Sequence, residues 1–450
     1  MTRASLLTGL LTLEMACLGL SHGCAGGDMG ASKKVLEKVS LSKYAAANGS
    51  LDFDIVDGKL KEGRAVYLLN WDLAYWVQGE TVHAVNDRAR ELSPDLPPAP
   101  DGITYEAVYD ASCDGDHVRL GQRAAQISFE GGELSEKEAG ELKHALEARP
   151  DDLWARTMLL GYHAKKKYNS DDARREYERH VLWLARNAPA SPVMGSPVVE
   201  LNPVLNPEAY AEAAALMRGH VKNEPRNLFL LANAANFFLI CENEVAEEIL
   251  KKCIAIEPDN PRWHQELGFL YSLSVVAGEG SGVADDPDAE NARKALASLE
   301  QAAALTTEPE EKSSQLTELA EMAFAAGELE KARGYCMKLL AGDGGPGGWN
   351  RGNRIHTGNA VLGRIALVEE AVEKAKGHLI SAGKCGGSPQ LDSFGPDMTL
   401  ANELLQRGET DAVVEYLELC GTFWNKAATD KWVAAIKRGE KPVLDRYNRE

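Results

Sequence analysis

Apolar residues between Arg226 and Asn260 recur at the three- and four-residue spacing of an α-helix, in two separate runs. The first run contains Leu230, Ala234 and Phe237, and the second contains Ala246, Leu250 and Cys253, ahead of Pro258. This pattern predicts two helices that form a hairpin. Small residues are needed where two helices approach closely, so Ala234 and Ala246, 12 positions apart, are the expected crossing points.

The same separation of 12 between small residues, with a larger side chain four positions later, recurs along the chain. The sets are Gly161, Ala173 and Tyr177; Ala320, Ala332 and Cys336; Gly363, Ala375 and Leu379; and Ala401, Val413 and Leu417. A step of 34 residues leads from Ala234 to Gly268. Gly327 and Gly408 stand where a first helix must turn into the second. The recurrence predicts stacked helix pairs over residues 131–440.

One helix pair departs from this spacing. The partner of Gly268 is Ala295, which is displaced by 15 residues through a glycine-rich insertion. The insertion predicts a solvent loop between the two helices.

A proline-broken connector at 188–206 separates two parts of the helical region, and an unpaired helix is predicted at about 207–223. Asn233 and Asn236 lie in the apolar helix that follows. A buried amide without a hydrogen bond costs about 1–3 kcal/mol. We therefore expect backbone groups of the connector to bond these amides, and a ligand is the alternative.

Residues 51–130 carry short β-prone runs between turns in place of the helical pattern. The runs are 53–56, 65–69, 103–109, 117–120 and 126–129. They predict a small β-rich or α+β domain. Trp71, Tyr75 and Trp76 form an aromatic stripe, which is either part of the core or a binding surface. A second hypothesis for function rests on this unit: it is an enzyme or a ligand-binding domain that the helix pairs position.

The first 24 residues have the composition of a secretion signal, with Arg3 ahead of a mostly apolar run from Leu6 to Leu20 and then small residues. The apolar run is too short to span a bilayer. The residues before Cys24 also resemble a lipoprotein signal, which implies a lipid on Cys24. Residues 25–50 are predicted to be a polar linker. We therefore expect an exported protein of the periplasm or cell envelope, either free or anchored through Cys24.

The net charge and the spacing of cysteine and histidine residues argue against several classes of function. The formal net charge of −19 repels a phosphate backbone, and no run of Lys or Arg is longer than 165–167, so nucleic acid is not an expected partner. The cysteines are sparse and form no CxxC, and the ten histidines are scattered singly. No metal, cofactor or catalytic site is predicted, and we do not expect an enzyme in the helical region.

Three blocks, 156–162, 231–239 and 387–398, together with the spacing above, resemble the tetratricopeptide repeat superfamily. The likeness is closer to a group of bacterial repeat proteins of unassigned function. It covers most of 133–435 and none of 51–130. The resemblance implies a mainly α fold, an α–α superhelix behind a small N-terminal β-rich or α+β domain. It also implies that first-helix residues line a concave groove for a protein or peptide.

Counting from the small residues identifies the side chains that would face such a groove. They are Arg262, Gln265, Phe269, Ser272, Thr317, Glu321, Phe324, Arg364 and Asn402. Amide and guanidinium groups bind peptide backbone and carboxylates, and aromatic rings anchor side chains. The alternative is that these residues form a solvated face with some packing between repeats. The preferred hypothesis is a protein-interaction scaffold that binds partners through this groove.

Overall fold

The computed structural model describes residues 55–60, 63–68, 73–79, 81–104, 108, 117–278, 289–307, 309–342 and 350–445. The contacts divide the chain into two compact units, Met1–Ile249 and Leu250–Glu450. The predicted signal sequence with Cys24, the linker at 25–50, Trp71 and the glycine-rich insertion lie outside the described residues. The predicted domain bounds stay predictions.

A four-stranded antiparallel meander opens the described part of the first unit. Its strands are β1 (Ile55–Leu60), β2 (Gly63–Leu68), β3 (Leu73–Gln78) and β4 (Thr81–Ala84), and the order in the sheet is β1-β2-β3-β4. Tyr75 and Trp76 are each 2% exposed. Adjacent strand residues point to opposite faces, so both faces of β3 are covered here and these two aromatics belong to a core. The prediction of a small N-terminal β-rich or α+β part of the fold is confirmed, and its bounds remain untested.

A helix replaces two of the predicted β-prone runs. The strands predicted at 117–120 and 126–129 are wrong, because both runs lie in one helix, His117–Gly132. At 103–109, residues 103 and 104 are outside any strand and Val108 is helical. Close packing explains the long helix: a Cβ on Gly131 would lie 2.1 Å from the carbonyl oxygen of Met158. Tertiary contact therefore overrides the local β-propensity.

The helices of the first unit begin after the meander. They are α1 (Asp87–Leu92), α2 (His117–Gly132), α3 (Glu136–Ala148), α4 (Leu153–Ala164), α5 (Asp171–Asn187), α6 (Pro207–Asn223) and α7 (Leu228–Phe238), and α8 (Asn243–Ile256) contains the point of division. Ser135 and Glu138 form a capping box at the start of α3. Pro207 starts α6 as predicted, but the side chain of Asn206 makes no cap bond and donates instead to Glu178.

The connector at 188–206 is held by the amides that the sequence singled out. Asn233 donates from Nδ2 to the carbonyl oxygens of Pro189 and Ser191 at 2.9 and 2.8 Å. Asn236 donates to Gly195 O at 2.9 Å. The prediction that the connector bonds both amides is confirmed, and the amides are not left for a ligand.

The second unit is built from helix pairs. Its helices are α9 (Pro261–Gly278), α10 (Ala289–Leu305), α11 (Pro309–Ala325), α12 (Leu329–Ala341), α13 (Arg351–Val368), α14 (Val372–Gly383), α15 (Pro389–Phe394), α16 (Thr399–Gln406), α17 (Thr410–Cys420) and α18 (Lys426–Lys437). Gly327 and Gly408 adopt φ of +78° and +90° between the two helices of a pair, as predicted.

Small residues at the predicted crossing points explain this packing. The alanines among them, together with Val413, are 0–8% exposed. One apolar cluster joins α9 to α13, and another joins α13 to α18. The fold class is therefore mainly α, with helices in adjacent pairs after a small β-meander. Among the described residues, every helix is too short or too polar to cross a membrane.

Candidate partner-binding surface

The predicted groove positions lie on the first helices of successive pairs: α9, α11, α13 and α16. We call the nine residues listed above the first-helix row. Side chains connect these helices directly. Gln265 on α9 donates from Nε2 to Oε2 of Glu318 on α11 at 2.6 Å. The first helices of neighbouring pairs are thus linked at a residue of the row.

Arg364 joins three first helices of the row. Its guanidinium lies 4.5 Å from the ring centroid of Phe324 on α11, and its Nε donates to Glu403 Oε1 on α16 at 2.9 Å. The side chain of Arg364 is 17% exposed. Burial raises the pKa of Glu403 despite the attraction of Arg364. Phe324 is 2% exposed, so it supports Arg364 from the core and offers no surface of its own.

The remaining residues of α9 and α11 in the row are half-buried or exposed. Arg262 pairs with Glu266 at 2.6 Å and lies over the ring of Trp263. Ser272 donates to the carbonyl oxygen of Phe269 at 2.8 Å, and Phe269 is half-buried. Thr317 is half-buried and Glu321 is exposed. These side chains are therefore at least partly exposed.

Asn402 has its amide bonded to a later stretch of the same chain. Its Nδ2 donates to Leu444 O and its Oδ1 accepts from Leu444 N, both at 2.9 Å. One residue of the row, on α16, therefore already binds backbone groups of its own chain, as it would bind those of a peptide.

Two buried acceptors, one on a residue of the row and one beside it, have no hydrogen-bond donor among the described residues. They are Oε1 of Gln265 and Oε1 of Gln315. Gln315 lies one helical turn before Glu318 on α11, and its Nε2 donates to Thr306 Oγ1 at 3.1 Å. Sequence reasoning identified Gln265 but missed Gln315, Glu318 and Glu403. Their spacing on a first helix is the only sequence signal that could have found them.

A second cluster, in the first unit, was also missed. His163 on α4 and Glu176 and His180 on α5 place one potential ligand atom each within 4.8 Å of the others. In the sequence analysis these histidines were classed with the others as scattered singly. The spacing of four between Glu176 and His180, which puts both on one helix face, was the available signal.

Comparison with known proteins gives limited information. No family model and no curated protein matches the chain. Among solved structures, 13 chains match. One is the human IFIT1 dimer with m7Gppp-AAAA, at 15% sequence identity and a TM-score of 0.34, over 74% of this chain and 83% of that chain. A similarity of this size assigns no function, so the proposals below rest on the residues themselves.

Proposed function

We propose that the protein is an exported scaffold that binds extended peptide segments of partner proteins along the first-helix row. The observation that carries the proposal is the exposure of the row on neighbouring first helices: Arg262, Gln265, Phe269 and Thr317 are half-buried and Glu321 is exposed. Amide groups can hydrogen-bond the backbone of an extended peptide, and Phe269 offers an apolar contact.

The charges beside the row favour protein over nucleic acid. Glu266, Glu318, Glu321 and Glu403 lie on or next to it, and the whole chain has a formal net charge of −19. Carboxylates repel phosphate groups. Arg262 and Arg364 are paired with Glu266 and Glu403, which screens their charge. A partner with exposed backbone and few acidic side chains fits this surface.

We also propose that the helix pairs act without catalysis of their own. Cys253, Cys336 and Cys420 are buried, and burial raises the pKa of each thiol to about 12. A thiol is nucleophilic as the thiolate, which these residues rarely form at neutral pH. The alternative, an activity in 51–130, is tested by a ligand and activity screen of the full chain, and a screen that stays blank counts against it.

The test of peptide binding replaces a single acceptor. Gln265→Met keeps the length of the side chain and removes its amide, and Gln301→Met makes the same change at an exposed position of α10. Partner proteins are captured with the mature protein, and overlapping synthetic peptides that cover their sequences are made. The affinity of each peptide for the protein is measured by calorimetry. We expect Gln265→Met to weaken peptide binding about tenfold, the loss of one good hydrogen bond, and Gln301→Met to leave it unchanged.

A broader variant defines the surface. Arg262, Phe269 and Arg364 changed together to alanine should abolish binding of the same peptide. Unchanged affinity in this triple variant and in Gln265→Met rejects the surface. Binding of single-stranded RNA in place of any peptide, lost in the triple variant, also rejects the proposal in favour of a nucleic-acid ligand.

Export is a separate part of the proposal, supported by the composition of residues 1–24. Mass spectrometry of the native protein should find the mature N-terminus at or after Cys24. A diacylglycerol mass on Cys24 would identify a lipid anchor, and its absence on a cleaved chain would identify a free envelope protein. A native chain that retains Met1 and the apolar run rejects export.

A further inference from the structure

Three side chains of types that bind metals meet in the first unit, and none of them belongs to the first-helix row. Glu176 and His180 are four positions apart on α5, so they share one face of the helix. His163 reaches them from the last turn of α4. One ligand atom of each residue lies within 4.8 Å of the other two. We propose that this cluster binds a divalent transition metal, Zn²⁺, through two imidazole nitrogens and a carboxylate oxygen.

The Nδ1 atom of His163 is evidence for a ligand that does not depend on the spacing of the cluster. It is buried and has no hydrogen-bond partner among the described residues. Such atoms are rare, because burying a polar group without a bond is unfavourable. A metal ion beside this nitrogen would supply the missing partner.

The geometry suits an open zinc site. Zinc holds nitrogen and oxygen ligands at about 2.0–2.2 Å, so the ligand atoms of a tetrahedral site are about 3.3 Å apart. The three ligand atoms would have to draw closer together when the metal binds. The cleft beside the cluster leaves room for water as a fourth ligand, and it is lined by His163 and Glu176 together with Ser170, Asp172 and four cationic side chains, Lys143, Lys166, Arg175 and Arg179. Two histidines, one glutamate and a water are an established ligand set for zinc.

Cationic neighbours oppose the metal, and two of them are easily displaced. Lys143 and Arg179 pair with the two oxygens of Glu176 at 3.2 and 2.8 Å, but their side chains are 58% and 68% exposed. Ion pairs this exposed contribute little, so both can turn into water when a metal replaces them.

Arg156 is the stronger competitor. Its Nη1 lies 3.3 Å from Nδ1 of His180, a contact that metal binding through this nitrogen would break. Arg156 keeps two other anchors, the carbonyl oxygen of Pro150 and the ring of Trp183 at 3.6 Å. Its charge nearby should make this site weaker than a closed four-ligand zinc site.

The test is titration of the full chain with Zn²⁺ alone, after chelator treatment and without a histidine tag. We expect one Zn²⁺ per chain by calorimetry and elemental analysis. His163→Ala and Glu176→Gln should each weaken binding by more than about 100-fold, because each removes a ligand. The matched control is His144→Ala, because His144 is an 88% exposed histidine of α3 outside the cluster. Its affinity should equal that of the wild type.

Fold and coordination are checked separately. Circular dichroism shows whether each variant is folded, and Co²⁺ in place of Zn²⁺ should give the visible absorption of a tetrahedral site in the wild type. At about a hundredfold excess over its Kd, Zn²⁺ should raise the Tm of the wild type and of His144→Ala by about 5 °C, but not that of Glu176→Gln. Substoichiometric binding by the wild type, or wild-type affinity in Glu176→Gln or in folded His163→Ala, overturns the proposal.

Discussion

Asn402 binds the backbone of Leu444 through both ends of its amide, with Nδ2 and Oδ1 each 2.9 Å from their partner atoms. Leu444 is 3% exposed and packs in the apolar cluster of α16, α17 and α18. Lys441 adds a bond from Nζ to Gln406 O at 2.8 Å. A residue expected to bind a partner therefore holds residues 441–445 of its own chain, in the manner in which an amide binds an extended peptide.

Asn402→Ala should release this segment. Two hydrogen bonds are lost, and the N–H and carbonyl of Leu444 return to water only if the segment detaches, so the local cost is about 1–2 kcal/mol. Hydrogen exchange of the Leu444 amide should accelerate about tenfold or more. Lys441→Ala, which removes one exposed contact, should change it little. Equal protection of Leu444 in the wild type and in Asn402→Ala would contradict this account.

Repetition made much of the fold predictable. Ala320 and Ala332, or Ala401 and Val413, recur at one spacing because close packing of two helices imposes the same requirement in every pair. Asn233 and Asn236 were also predictable, because a buried amide needs a partner and the nearby connector has backbone groups to offer.

Contacts between elements distant in sequence were not predictable. The sequence of helix α2 is β-prone, but its packing depends on Gly131 lying against Met158 and on Gly161 lying against Ser128, contacts that form only in the folded chain. The contact between His163 and His180 was not predictable either. The two residues lie on different helices, and their ring centroids are 5.8 Å apart. Phe324 was expected at a surface, but the period of one helix does not say which neighbouring helix covers it.

Tyr177 fastens the connector through its hydroxyl group, which accepts from Glu200 N at 2.7 Å and lies within 2.8 Å of the carbonyl oxygens of Val198 and Glu200. Tyr177→Phe leaves these groups unsatisfied in a fully buried site and should destabilise the first unit by about 1–3 kcal/mol. Tyr168→Phe is the control, because Tyr168 is 67% exposed. Urea unfolding measures both, and equal midpoints for the two variants would refute the role of the hydroxyl.

Glu370 adopts a φ of +58°, the left-handed region, in the turn between α13 and α14. Gly327 and Gly408 occupy the equivalent turns of two other pairs, with the same backbone bonding pattern. Glu370→Gly should therefore relieve strain and raise stability by about 0.5–1 kcal/mol.

The reverse change tests the same reasoning. Gly408→Ala should destabilise by about 1 kcal/mol, although a Cβ there would meet nothing within 4 Å, because the backbone conformation alone is unfavourable. Gly377→Ala, equally uncrowded but inside α14, should stabilise by about 1 kcal/mol. Thermal unfolding of the three variants gives the signs, and a stabilising Gly408→Ala would disprove the strain argument.

Gly161 sets the distance between α2 and α4. A Cβ at this position would lie 1.8 Å from the carbonyl oxygen of Ser128, so Gly161→Ala has to push the two helices apart and should cost roughly 3 kcal/mol. Gly140→Ala, on α3 with nothing within 4 Å, should be neutral or stabilising. Circular dichroism melting distinguishes them, and a Tm for Gly161→Ala within 1 °C of the wild type would show that the contact is not rigid.

The capping box of α3 should make the start of this helix sensitive to acid. Ser135 donates from its backbone N–H and its hydroxyl to Glu138 at 2.8 and 2.6 Å, and these bonds lower the pKa of Glu138 below its usual 4.5. A depressed carboxyl pKa contributes stability that is present above pH 4.5 and is lost as the pH falls through the folded value.

Hydrogen exchange of the Glu138 amide, corrected for the intrinsic rate, should therefore show more protection at pH 6 than at pH 3. Ser135→Ala should remove most of the difference between the two pH values. The cap of α5 is the matched control, because Ser170 accepts from Ala173 N at 3.3 Å and the third helical position there carries no carboxyl group to bond back. Ser170→Ala should reduce protection of Ala173 by a similar factor at both pH values. An equally large pH effect at Ala173 would mean that the acid sensitivity of α3 does not come from the Glu138 bonds.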